Sequence, residues 1–377
     1  MKKIFALLLS AALFLTAAGC APAAAGGADD KNIKIAVMDT EVVFVADDSY
    51  INGINLAIED LNALYGDQGY TISYEFYEDG SVFQQGMEAL NAIRSDPEIT
   101  AVVGTSSLNI LDVAADVLDS AGKLLITYYS APDSLFENGY TMVFRNCYGE
   151  DDLGSAIAAY AAEREDMQRV AIYHSDTDYE QDMAQAFLRG VAGTDVEVVD
   201  VAVTTPLEAE LDAILERWEA LNVDTVFVSQ YLAEDAFDIL RLVRTRNPEM
   251  HILGDFSFDY TDYLLADRTV SDDIYIATPV PLEPSDEVDE FYARYREKYG
   301  SEPTQWAVQL YDSIRMIVDT AVRIGSTDSA DIAQALHEEQ GYNGVGGTIA
   351  FDAEGRLIGR QPKIMVSEDG MFNFVEE

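Results

Sequence analysis

The sequence predicts an α/β protein: two doubly wound parallel-sheet, Rossmann-like lobes joined by a three-segment hinge. Short β-branched runs alternate with amphipathic helical windows, that pattern restarts near residue 151, and the late helices have no fresh strands to wind around. In the first set, strand Lys34–Met38 precedes a helix with Ile51, Ile54, Ile58 and Leu61 on one face. Strand Thr71–Tyr77, helix Ser81–Arg94 and strand Thr100–Val103 follow. Ile110, Val113, Ala114, Val117 and Leu118 then form an apolar stripe before strand Leu124–Tyr128. Strand, helix, strand at this spacing requires right-handed crossovers and a parallel sheet covered on both faces.

The second set opens with a helix from Asp151 to about Glu163 and strand Arg169–Tyr173. A helix across Met183, Phe187 and Val191, strand Val196–Val203 and a helix carrying Leu211, Ile214, Leu215, Trp218 and Leu221 continue it. Strand Thr225–Val228, helix Ala236–Val243 and strands His251–Leu253 and Ile274–Thr278 complete it. Helices Asp286–Tyr299, Trp306–Ile324 and Ser329–His337 must pack on an existing lobe. The simplest path returns to the first lobe and ends with Lys363–Ser367 and Met371–Phe374 on the second, after a turn at Asp352–Gly355. Three crossings make a hinge and a cleft, and solutes bind where the carboxyl ends of parallel strands meet such a cleft. The expected lobes are residues 32–145 with 280–352, and 146–279 with 353–377.

The chain opens Met1-Lys2-Lys3, then an apolar run from Ile4 to Ala18 and Gly19-Cys20, the pattern of a secretory signal peptide over residues 1–19. Ala17-Ala18-Gly19-Cys20 resembles the bacterial lipobox, which implies lipid on Cys20, a tether over residues 20–31 and anchorage to the cell membrane, at the surface or in the periplasm. Cys147 is then left alone, so no disulfide framework is expected.

Lysine and arginine number 23 against 68 acids, a formal net charge of −45. That field repels nucleic acid and anionic head groups. The acids are scattered over helix faces, which reads as a solvated surface or as a field that gathers cationic solutes. The three histidines lack metal-ligand spacing, and Asp176–Glu180 lacks the glycine and distal glutamate of a calcium loop, so its acids suit a helix start. Gly344–Gly347 is not a dinucleotide fingerprint; neither a nucleophile elbow nor a phosphate loop occurs. No catalytic residue, cofactor or metal is expected, and no enzyme activity.

"IKIAV", "NGINLAIEDLNA", "AVVGTSS", "GKLLITYYSAPDSL", "NGYTMVFRN", "VAIYHSDTDY", "AVQLYDSIRMIVDTAVRIGS" and "GTIAFDAEG" occur in order. Together they resemble the branched-chain amino-acid (leucine/isoleucine/valine) binding proteins, solute receptors of ABC importers with the type I periplasmic binding fold, from Ile33 to about Val375. The resemblance implies a small solute held between the lobes and a closed form that docks on a membrane permease, or on a signalling receptor if the chain is a sensor. It implies a ligand-facing turn at Ser106 and Ser107, which also reads as a helix cap, and another at Tyr128, Tyr129, Ser130 and Ala131. Tyr179 and Tyr231 match lid positions on the second lobe, and Trp306 matches an aromatic at the cleft rim. Three departures stand out. Ala131 replaces a threonine, and Phe256 replaces the glutamate that pairs with an ammonium, with Asp255 one residue early. The loop Thr40–Ser49 is short and lacks the family's Gly-Pro pair. The expected solute is therefore amino acid-like, an amide or an aromatic acid rather than a standard aliphatic amino acid.

Overall fold

The computed structural model describes residues 31–129, 131–203, 208–230, 233–259 and 261–375. The leader with Cys20, Ser130 and Tyr231 lie outside the described residues. The first part of the chain runs β1 (Asn32–Asp39), α1 (Glu41–Ala46), α2 (Ser49–Tyr65), β2 (Thr71–Glu78), α3 (Phe83–Ser95), β3 (Ile99–Gly104), α4 (Leu108–Ser120), β4 (Leu124–Thr127), α5 (Asp133–Phe136) and β5 (Val143–Arg145). The second runs α6 (Glu150–Ala162), β6 (Arg169–His174), α7 (Asp178–Gly190), β7 (Glu197–Val203), α8 (Glu208–Ala220), β8 (Thr225–Ser229), α9 (Ala233–Arg246), β9 (His251–Gly254), α10 (Thr261–Ala266), α11 (Arg268–Ser271) and β10 (Ile274–Thr278). The remainder is α12 (Asp286–Tyr299), α13 (Gln305–Ile324), α14 (Ser329–His337), β11 (Tyr342–Gly344), β12 (Gly347–Phe351), β13 (Leu357–Ile358), β14 (Lys363–Glu368) and β15 (Met371–Phe374).

Two sheets form the lobes. The first has the order β2-β1-β3-β4-β5, all parallel. The second has the order β7-β6-β8-β9-β10-β14-β15, parallel as far as β10 and antiparallel beyond it. Strands β3, β4 and β8 are buried along their whole length, as unbroken apolar runs under helices on both faces require. The late helices return to the first lobe. Arg294 of α12 pairs with Asp60 of α2, and the Tyr311 hydroxyl of α13 donates to the same carboxylate at 2.7 Å. Gly53 lets α2 and α13 touch: a Cβ there would sit 2.4 Å from the Ala307 carbonyl oxygen.

The crossings lie side by side and are hydrogen-bonded. Arg145 N–H donates to Gly355 O at 2.8 Å, and Asn146 N–H to Thr127 O at 2.9 Å. The Asn146 amide also reaches Ser313 Oγ at 3.1 Å, and Cys147 is fully buried. Gly355, at φ 88°, closes the expected turn, and its missing side chain lets Val143 approach.

Two details differ from the sequence reading. The segment after β1 is the helix α1 rather than a loop. Beyond residue 352, β13 pairs with β12, so the chain enters the second sheet only with β14, after Ile358. Strands β5, β11 and β13 have two or three residues each, too few for a periodic signal.

Gly53→Ala should lower unfolding free energy by about 1–3 kcal/mol in urea titration, because helix backbone blocks the added methyl. Gly66→Ala, with φ −60° and no neighbour within 4 Å, should change it by no more than about 0.5 kcal/mol.

Candidate functional site

Both sheets turn the carboxyl ends of their central strands toward the same gap, and each carries a buried aspartate there. In the first lobe, Asp39 ends β1, at the point where β1 lies between β2 and β3. Its carboxylate accepts from Thr40 N–H at 2.8 Å, Ser106 N–H at 3.1 Å, Ser106 Oγ at 2.6 Å, and the Tyr128 hydroxyl. Burial pushes its carboxyl up to about 6; the bonds from Ser106, Tyr128 and Thr40 pull the other way. Burial likewise drives the Tyr128 phenol far above its usual range, with Asp39 adding to it. Asp79, also fully buried, accepts from Ser81 N–H at 2.8 Å and from the Thr105 hydroxyl.

The second lobe repeats the device. Asp255 follows β9 and accepts from Ser229 Oγ at 2.8 Å, Gln230 N–H at 3.2 Å, Ser257 N–H at 3.0 Å and the Ser257 hydroxyl. Burial pushes it, too, up to about 6. Glu180 accepts from Ser175 Oγ at 2.8 Å, and His174 Nδ1 lies 2.7 Å from the Ser175 carbonyl. Gln230 is buried, its Nε2 without an acceptor among the described residues.

Aromatic rings span the gap between these carboxylates. Trp306, on the first turn of α13, stacks on Tyr129 at 4.8 Å and 21° and on Tyr50 at 6.3 Å. Tyr128 meets Tyr50, Tyr129 and Trp306 edge-on. Phe256 of the second lobe meets Tyr129 at 5.8 Å and Trp306 at 5.7 Å, and Tyr179 meets Phe256 at 5.8 Å. After burial, the charges that weigh most on the Tyr179 phenol are Asp255 and Glu150, and they hold it protonated.

The expected residues fall unevenly around this cluster. Tyr179 and Trp306 are in it. Tyr128 is wholly buried beneath it, holding Asp39. Asp255 serves its own turn while its neighbour Phe256 takes the ring position, the facing-away geometry that strand alternation allowed. Ser106 spends its N–H and hydroxyl on Asp39, and Ser107 makes no side-chain cap to α4, so the expected capping bond is not formed. Ala131 is buried, its carbonyl accepting from the Arg145 guanidinium. Sequence reasoning placed Phe256 at a ligand-pairing position without foreseeing its ring contacts, and it missed Asp39, Tyr50 and Gln230. An acid closing an apolar strand was the available signal for Asp39; the rings carry none apart from the fold.

The chain matches the periplasmic binding protein model over residues 33–368. It belongs to that family. The family comprises extracytoplasmic substrate-binding proteins of ABC transporters, not enzymes. The Leu/Ile/Val-binding protein homolog 3 of Brucella melitensis is 25% identical over 369 residues, covering 96% of this chain and 97% of that protein. An ABC transporter substrate-binding protein of Desulfitobacterium hafniense, solved in complex with Leu, superposes with a TM-score of 0.81 at 25% identity, over 91% of this chain and all of that one. A solute-binding protein of Rhodopseudomonas palustris in complex with 3,4-dihydroxy benzoic acid shares the fold at 17% identity and a TM-score of 0.76, over 91% of this chain and 95% of that one. No helix among the described residues is long and apolar enough to cross a membrane.

Asp39, Asp255 and Asp312 all titrate near 6 in the fold against 3.8 as the ordinary value. Between those values the folded chain holds protons that the unfolded chain has released. Their contribution to stability is therefore full below 3.8 and lost as pH rises through about 6. The melting temperature should rise on acidification from about pH 7.5 to about pH 5, and Asp39→Asn should flatten that slope in calorimetry.

Proposed function

We propose that this chain is the solute receptor of an ABC importer, tethered to the outer face of the cell membrane by lipid on Cys20. The lobes, residues 32–145 with 280–358 and 146–279 with 359–375, close on one small amphipathic solute and present the closed form to a permease. The pairing of β13 with β12 supports a last boundary past β13.

The observation that carries this reading is the ring contact across the gap: Phe256 of the second lobe against Tyr129 and Trp306. Rings from both sides form a surface that an apolar guest replaces ring for ring, so closure buries the guest where it buries the rings. Ser106, Ser107, Tyr128, Ser130, Ala131 and Asp255 shape the walls, and Tyr179, Tyr231 and Trp306 meet the guest. The solutes held by the two relatives, Leu and 3,4-dihydroxy benzoic acid, support a guest of amino-acid or aromatic size.

Small-angle scattering should show compaction at one-to-one stoichiometry with the correct solute; no compaction across a panel of amino acids, amides, aromatic acids and amines would sink the reading. The protein's two tryptophans allow a second check. Trp218 is buried in the second lobe's core, with its indole N–H donating to Asp200 at 2.8 Å, whereas Trp306 lies in the cleft. Solute should change the fluorescence of Trp218→Phe, which keeps the cleft reporter, and leave that of Trp306→Phe almost unchanged.

A further inference from the structure

Resting on the receptor reading, we infer that the solute is an organic ammonium ion that carries no carboxylate. The first observation is that the donors which would take a ligand carboxylate in the first lobe are already taken. Ser106 N–H and Oγ, at the turn leading into α4, both bind Asp39, as do Thr40 N–H and the Tyr128 hydroxyl. A carboxylate guest would have to displace that aspartate and then sit beside its charge. The opposite turn is filled in the same way by Asp255, which engages Ser229, Gln230 and Ser257. Among the described residues, the buried donor left at these turns is the Gln230 amide, a single uncharged group that supplies no positive charge to an anion.

The second observation is the sign of the charges around the gap. Asp39, Asp79, Glu150, Glu180 and Asp255 are all nearly or wholly buried there. Arg145, at the first crossing, is engaged by the Ala131 carbonyl, Asp133 and Asp152. Rings arranged as Tyr129, Trp306 and Phe256 are, beside such carboxyls, a surface of negative potential that attracts a cation with apolar substituents.

The third observation lies at the mouth. A groove of ≈ 370 Å³ runs between the lobes, lined by Asp112 and Asp116 of α4 and by Asp178 and Asp182 of α7. Burial raises the Asp112 carboxyl, and Asp178 across the gap raises it further. Closure therefore brings like charges together. A guest favours the closed form only by interacting better with it than with the open form, and a cation does so here by offsetting that repulsion. An anion would add to it.

Titration calorimetry of the full mature chain with phenethylamine, isoamylamine, phenylalanine, leucine and benzoate tests the inference, since each amine is its amino acid without the carboxylate. An amine should bind at least about tenfold more tightly than its parent amino acid, and benzoate should not bind. Asp39→Asn should fold and weaken the amine by about tenfold. Asp39→Gly, which empties the Ser106 donors, should gain affinity for the parent amino acid. Binding of phenylalanine, leucine or benzoate by the unaltered chain as tightly as either amine overturns the inference and leaves the receptor reading standing. Failure of both amines to bind overturns it too; the scattering panel then judges the receptor reading on its own.

Discussion

A carboxylate removed from water keeps its charge only where donors replace the solvent. Asp39 and Asp255 impose that condition on the two halves of this molecule. Each sits at the carboxyl end of a central strand, and each is wrapped by backbone N–H and hydroxyl groups from a neighbouring strand's turn. The turns after β3 and β8 are therefore tied to the strands beside them, and the floor of each half of the gap is fixed in place. What those turns can do for a guest follows from how many donors remain.

Between these floors the contact is apolar and aromatic. Stacked and edge-on rings tolerate exchange of one ring for another, because their attraction depends on area and offset rather than on directed bonds. Polar floors with a ring-lined gap place rigidity at the strand tips and adaptability in the middle. The hydrogen bonds among residues 145, 146, 127 and 355 hold the crossings close together, so relative motion of the halves concentrates there.

Much of the fold was legible because apolar runs with a period near two or 3.6 leave a strong mark. The sheet-and-helix order, the return of α12 and α13, and the destination of β14 and β15 all followed from pattern and strand supply. The segment after β1 was not legible: Val42 and Val45 are exposed in α1, so no apolar stripe announces that helix. In the ring cluster, Tyr179, Trp306 and Phe256 stand at positions that the family resemblance singles out, whereas Tyr50 joins it only through packing between distant segments. For Ser106, no local pattern revealed that an acid 67 positions earlier in the chain accepts its hydroxyl.

The interleaved path has one more result. The first sheet is covered by α13, whose residues lie beyond 300, and the second sheet is completed by β14 and β15 at the far end of the sequence. During synthesis the first core cannot be sealed before α13 has emerged, nor the second before β14 and β15 have. The long-range closures come last, and such contacts slow folding because loop entropy is lost before they form.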